Sequence, residues 1–471
     1  KVLFNQFHDI LTGSGVIETR EYAMGQFQQV LTAANTGYIQ SLRNIAGKVD
    51  TSMLPASEDE DKNSISEGAG TGFSITDYGI PQAESGREIT VWDWPGDVER
   101  VEICDTKGNP VKHQIVSGRA QQLHPEGAFW GHRYMKMLVY VEAPAFGYRT
   151  YLLKERPLQD TKVKMEVWDR IEKLDEQYIM ENEYIKVVLD NKDASIVSLT
   201  DKASGKELVD PKQPAGIFRL IEEDTEKGMT SWVVGRYMNI FNLNRDVKVK
   251  NVSLNKNQLR QWVAYHIVFR ETTLEVKVSL EYNSAKLEFN IECDWQERPK
   301  RNVSIPQLNF HMPFAYQCNL YKYDIPFGII ERAPVNMDLP GNSWALAVPE
   351  NKDGRGLRIV TNTKYGFRGF DNSLSLTLIR SSYDPDPYPD NGIHRFRFAV
   401  ELANAADHAA LINQAFDYNH PIGFISGIKQ EGELPLEGSF LSLESGSVAI
   451  SAVKVPEGNP GRRMIIRVYE T

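Results

Sequence analysis

The apolar positions of this chain follow two periods, and the change between them divides it. Over residues 16–47, Phe27, Val30, Leu31, Ala34, Tyr38, Leu42 and Ile45 recur at steps of three and four. That spacing places them on one face of a helix. Gln28, Asn35 and Arg43 fall largely elsewhere. A shorter helix-like piece, FNQFHDI, comes before it, and the turn Thr12-Gly13-Ser14-Gly15 separates the two. No comparable helix is expected until a short one near 405–416 (AADHAALINQAF).

Most of the remainder alternates with period two. ITVWDW, VERVEIC, KMLVYVEA and YRTYLLK form a first set of expected strands, broken by Gly, Pro and Asn. A second set runs from YIMENEYIKVVLD through SIVSLTD, VKVKNVSL, VAYHIVFRE and LEVKVSLEY to LEFNIECDW. A third covers GLRIVTN, SLSLTLIR, HRFRFAVEL, SVAISAVKV and MIIRVYE. In SLSLTLIR, Leu374, Leu376 and Leu378 alternate with Ser373, Ser375 and Thr377. This predicts a half-buried strand with one wet face. Many strands with little helix predict antiparallel sandwiches. No fixed-period repeat points to a propeller or solenoid.

Composition narrows the function classes. The 471 residues carry a formal charge of −10, with 41 % hydrophobic and 25 % charged residues. These are values of a folded chain of several domains. The acidic balance argues against a nucleic-acid or anionic-membrane partner. No apolar run approaches the about 20 residues of a membrane span. Cys104, Cys293 and Cys318 are scattered and lack CxxC spacing, so neither a disulfide framework nor a thiolate zinc site is indicated. Residues 51–77 hold the polar, acidic and Gly/Ser-rich run SEDEDKNSISEGAGTG, which reads as a linker or long loop. The chain starts at Lys1 inside a helix-like pattern and stops after MIIRVYE, so both ends read as cuts in a longer polypeptide.

The best candidate for chemistry is His8-Asp9, in a helix-like segment followed by the glycine turn. Imidazole is the commonest metal ligand, and a neighbouring carboxylate can coordinate or hold a hydroxyl. Spacing alone favours a blander reading, a helix-end histidine beside an N-capping aspartate. A zinc site needs three or four ligands, and no HxxxH or HxxEH pattern supplies them. His124 and His132 flank Phe129-Trp130, which suits either a sugar-stacking loop or packing at a sheet rim. Asp384, Asp386 and Asp390 in DPDPYPD lack a glycine-hinged calcium loop and read as a rigid exposed turn. Glycoside hydrolysis needs two carboxylates ~5–9 Å apart, a distance that spacing does not give. There is no GxSxG elbow, P-loop or GxGxxG after a strand.

A resemblance takes the reading further. FNQFHDILTGSGVIETREYA resembles the segment that closes the catalytic centre of glycoside hydrolase family 38, the zinc-dependent retaining α-mannosidases. In that family an FHD or HHD triplet precedes a Gly-rich turn and a long helix, as Phe7-His8-Asp9, Thr12-Gly13-Ser14 and the helix from about residue 16 do here. EAPAFGYRTYLL, YIMENEYIKVVLDNKDASIVSLTDKASGKELVD, LEFNIECDWQER, DIPFGIIERAP and NTKYGFRGFDNSLSLTLIRSSYDPDP continue the likeness in the family's order, and so does ISAVKVPEG with MIIRVYE. The likeness spans the chain but only the C-terminal half of a typical member.

It implies a helical middle-domain segment over 1–50, a small β-sandwich over 78–160 and a large galactose-mutarotase-like β-sandwich over 161–430. C-terminal strands would fill 431–471. It further implies that the α/β barrel bearing the nucleophile, the acid/base and three zinc ligands lies before this sequence. By the same likeness, His8 matches the remaining ligand of the single zinc and Asp9 the carboxylate that touches the sugar. The zinc would hold two ring hydroxyls of mannose while a carboxylate pair cleaves with retention. The site would be incomplete in this chain, which alone would be inactive. Tyr365, Asn342 and Trp344 are candidates for a loop lining the cleft.

The implied partner is a mannose-containing oligosaccharide, with no nucleic acid and no membrane, and homo-oligomer formation stays open. A bacterial cytoplasmic location fits the few cysteines, and secretion stays open as the alternative. Two other readings stand beside this one. One is a mannosylglycerate-type hydrolase of the same family. The other is a non-catalytic carbohydrate-binding module using Phe129-Trp130.

Overall fold

The computed structural model describes residues 1–54, 82–92, 98–124, 127–156, 169–170, 177–351, 354–425, 429–444, 447–458 and 461–470. The expected linker from residue 55 onward lies outside the described residues. The chain is mainly β with a helical start, as its periodicity predicts. Among the described residues the α-helices are α1 (Val2–Asn5), α2 (Ile17–Ala46) and α3 (His408–Asn419). The chain divides into two compact units. One comprises Lys1–Asn35, Trp168–Lys256 and Arg260–Ala415; the other comprises Thr36–Val167, Asn257–Leu259 and Phe416–Thr471.

In the first unit a six-stranded sheet runs in the order Tyr237–Asn242, Ile217–Glu223, Ile305–Pro313, Ser373–Arg380, Gly366–Phe370, Leu339–Pro340. A ten-stranded sheet runs from Gly328–Arg332 to Asp169–Arg170, with Lys286–Trp295 and Gly392–Asn404 paired antiparallel at its centre. Alternation sends Leu287, Phe289, Ile291, Cys293 and Trp295 inward, while Asn290 and Glu292 face water. Phe289 and Phe398 of the large sheet meet Phe310 of the smaller one, with ring centroids 4.5–5.1 Å apart. The two sheets thus close on one core, in which each fully buried apolar side chain contributes about 1.5–3 kcal/mol. Trp295 donates its indole N–H to Ser381 Oγ at 2.6 Å, so this large ring leaves no polar atom unmet.

Strand Ser373–Arg380 matches the predicted span, but its polar face is not wet. Ser373 and Ser375 are buried along with the leucines. The strand is interior to its sheet, and long polar side chains from other strands of the sheet lie across this face. Arg219 donates to Asn309 Oδ1 at 2.7 Å and to Ser375 Oγ at 3.1 Å, while His311 Nδ1 meets Ser375 Oγ at 2.9 Å. Arg368 donates to Asp338 and sits 3.4 Å from the centre of the Tyr237 ring. The hydroxyls therefore satisfy buried guanidinium and imidazole groups in place of water. Val98–Arg100, expected to extend a strand, is a single 3-10 turn leading into Val101–Asp105.

In the second unit Gln82–Trp92, Gly127–Ala143 and His113–His124 form a three-stranded sheet. Val101, Ile103, Ile115, Met137 and Val139 supply its core. Phe129 and Trp130 lie within Gly127–Ala143, and their side chains are outside the described residues. Val448–Lys454 pairs with Ile465–Glu470 as a hairpin.

Candidate functional site

The segment carrying His8-Asp9 is a run of turns between two helices. After α1, Leu11 N–H donates to Phe7 O at 3.0 Å and Gly13 N–H to Ile10 O at 3.0 Å. Gly13 has φ of 71°, a left-handed conformation that a side chain disfavours. A Cβ on Gly15 would stand 3.0 Å from the Thr19 methyl and 3.4 Å from Asp9 O, so a side chain there would push Thr19 aside by a few tenths of an ångström. Thr12 Oγ1 donates to His8 O at 2.7 Å and pairs with Ser14 Oγ at 2.8 Å. Asn5 Nδ2 reaches Ala23 O at 3.3 Å, tying α1 to α2.

This framework presents the pair outward. His8 Nε2 and Asp9 Oδ2 are 3.4 Å apart, with side chains 79 % and 48 % exposed. The Phe7 ring packs against the His8 imidazole at 4.3 Å between centroids. Exposed donors of this kind fit part of a metal shell, since neither has to be drawn out of a buried network. They make at most half of a four-coordinate site. Among the described residues no group of three His, Cys, Asp or Glu side chains is placed to hold a metal ion.

Beside the turn lies a cleft of about 490 Å³, whose lining includes Asp9, Arg20, Lys364, Arg380, Asp390 and His394. Arg380 is engaged by Glu223 at 2.9 Å and by the carbonyls of Thr230 and Val233 at 2.6 and 2.9 Å. Burial pushes the Asp390 carboxyl up and the Lys364 ammonium down. The ammonium stands 4.5 Å from the centre of the Phe396 ring, and His394 Nε2 bonds Asp390 O at 2.7 Å.

Here the structure corrects the reading of DPDPYPD. Only Asp384 of its three acids is exposed, paired with Arg301 at 3.0 Å. Asp386 is buried; its Oδ2 takes the Arg20 Nε–H at 2.5 Å and its Oδ1 the Tyr388 N–H at 2.9 Å. The proline-rich turn folds inward to meet a cation from α2. No local signal marks Arg20 as its partner, because the two are 366 residues apart.

The cleft-loop candidates separate. Tyr365 is exposed, and its carbonyl accepts the Gly341 N–H at 2.9 Å, which brings its loop beside exposed Asn342. Trp344 is a correction. It opens strand Trp344–Val348 with 0 % exposure, and the buried Arg358 guanidinium lies 5.5 Å from its ring centre. No face of it is left for a sugar. Beside it, Ser343 N–H and hydroxyl both donate to Asp324, whose carboxyl is raised by burial.

Comparison with known proteins converges on the resemblance read from the motifs. Residues 180–388 match the glycosyl hydrolases family 38 C-terminal domain. Alpha-mannosidase G of Dictyostelium discoideum is 22 % identical over 312 residues, 62 % of this chain and 27 % of that protein. Alpha-mannosidase 2C1 of Homo sapiens is 27 % identical over 209 residues, 42 % of this chain and 19 % of that protein. This chain thus spans about a quarter or less of the curated relatives it matches. A solved family 38 protein from Enterococcus faecalis superposes on 99 % of this chain with a TM-score of 0.77 at 15 % identity. The match takes up 59 % of that chain. A solved alpha-mannosidase from the same organism gives 0.73 at 16 % identity, over 99 % of this chain and 56 % of that one. Domain match and relatives agree over one stretch and the fold over nearly all of it: residues 180–388 match the family 38 C-terminal domain, within a fold that the chain shares with these solved structures.

Proposed function

We propose that this chain is the middle and C-terminal part of an α-mannosidase that hydrolyses terminal α-mannosyl linkages of oligosaccharides with retention. His8 would supply one ligand of a zinc ion and Asp9 would touch the sugar. The observation that carries the reading is the adjacent, outward-facing His8-Asp9 pair on its glycine turn. When bound, the zinc would supply Lewis-acid and templating chemistry for vicinal hydroxyls. The remaining ligands, the nucleophile and the acid/base would come from residues outside this chain. Exposed Leu3, Phe4, Phe7 and Leu11 on the same segment suit a surface that a further domain covers. Tyr365 and Asn342 remain candidates for lining the cleft.

The test compares this chain with the product of its complete reading frame on an aryl α-mannoside, with and without a chelator. Zinc-dependent turnover by the complete protein, none by this chain, and loss in His8→Ala is the expected result. Turnover by this chain alone would overturn the assignment of the missing groups. Turnover of mannosylglycerate in place of the aryl mannoside would move the substrate class within the family.

A further inference from the structure

We propose that Arg20 and Asp386 form a positioning pair that fixes the His8-Asp9 turn against the large sandwich; its consequence for catalysis rests on the function proposed above. The hydrogen bonds inside the turn, from Thr12, Ser14 and the backbone, set its shape. They do not set where it stands on the sheet. Arg20 does, because it lies in the first turn of α2, directly after the glycines, and reaches the sandwich.

Its partner is built for the purpose. The Asp386 carboxylate is 3 % exposed, and both its oxygens are used, one by the Tyr388 N–H and one by Arg20. A buried carboxylate is tolerated when a cation and hydrogen bonds meet it, and removal of one partner leaves the other charge stranded. The Arg20 charge also acts on Asp390, the second inward acid of the same loop. Asp9, Arg20 and Asp390 all line the same cleft, so the cation of the pair borders the space that Asp9 borders. Arginine suits the role because its planar fork holds direction, which a lysine ammonium does not. A displacement near 1 Å at a reacting group costs up to about 100-fold in rate, so a hinge at this point would be felt at His8 and Asp9.

The experiment uses the protein from its complete reading frame, with Asp386→Asn, Arg20→Lys and the exchange Arg20→Asp with Asp386→Arg. Hydrogen–deuterium exchange is read at residues 8–15 and at strand Lys286–Trp295, with kcat and KM on an aryl α-mannoside beside it. The expected result is faster exchange at 8–15 with the strand unchanged. The kcat should fall roughly 10- to 100-fold in Asp386→Asn and less in Arg20→Lys, with partial recovery in the exchange variant. Unchanged exchange at 8–15 together with wild-type kcat in Asp386→Asn would overturn the pair while leaving the function proposal intact. Uniformly faster exchange across the protein in both single variants would also overturn it, as a general stability role. If the wild type turns over no mannoside, the function proposal fails, and exchange at 8–15 still decides whether the pair anchors the turn.

Discussion

The interior of the large sandwich and the N-terminal helix-turn segment use apolar residues in opposite ways. In the sandwich, Phe289, Phe310 and Phe398 are sealed between two sheets, and even the serines of Ser373–Arg380 are buried. In the segment, Leu3, Phe4, Phe7 and Leu11 lie open to solvent, and the middle of α2, including Leu31 and Ala34, is exposed throughout. Burial fixes the first region. A few polar contacts, Arg20 with Asp386 foremost, fix the second. The residues with chemical potential, His8 and Asp9, stand in this open region.

Substitutions can break or sharpen that contrast. The largest effect is expected in the aromatic core: Phe310→Ala should cost about 3–5 kcal/mol in urea unfolding. A loss below about 1 kcal/mol would mean that the two sheets do not share this core. Next comes Arg358, fully buried, which donates to Glu401 at 2.6 Å, Leu411 O at 2.6 Å and Gln414 at 2.8 Å. Arg358→Ala leaves Glu401 only the Lys286 ammonium at 3.9 Å and should cost about 3 kcal/mol. The same unfolding curves test it, and a near-neutral result would show that water reaches the pair.

A further effect is set by pH. Burial, and then the Arg219 charge, push His311 down to about 3. The unfolded chain takes up that proton near pH ~6.5. Stability from this group is therefore whole above that value and declines as pH falls from it toward 3. His311→Gln should flatten this part of the pH–stability curve, and an unchanged slope would remove His311 as its source. The smallest effect belongs to the open segment: Leu3→Ser should shift stability by no more than about 0.5 kcal/mol. A larger loss in thermal unfolding would show that the segment packs more tightly than its exposure indicates.

Local pattern made much of the fold legible. The period-three-to-four stripe over 16–47 became α2 at Ile17–Ala46, and SLSLTLIR became Ser373–Arg380. A local pattern reports which residues share a face but not what lies against that face. The Ser375 side reads as wet because nothing nearby announces Arg219 or Arg368, which arrive from other strands. Trp344 reads as a loop residue because the buried Arg358 beside its ring belongs to the neighbouring strand. DPDPYPD reads as an exposed turn because the partner of Asp386 lies far away in sequence, on α2. The His8-Asp9 motif was legible because its meaning is local, a pair of donors next to a turn that needs glycine.

The most direct test of the account is the zinc-dependent rate of aryl α-mannoside hydrolysis by the complete protein and by its His8→Ala variant, at equal folded concentration. The account predicts turnover that a chelator abolishes and that zinc restores in the wild type but not in the variant. Equal, chelator-insensitive rates in the two proteins would contradict it, and would detach the His8-Asp9 turn from the chemistry altogether.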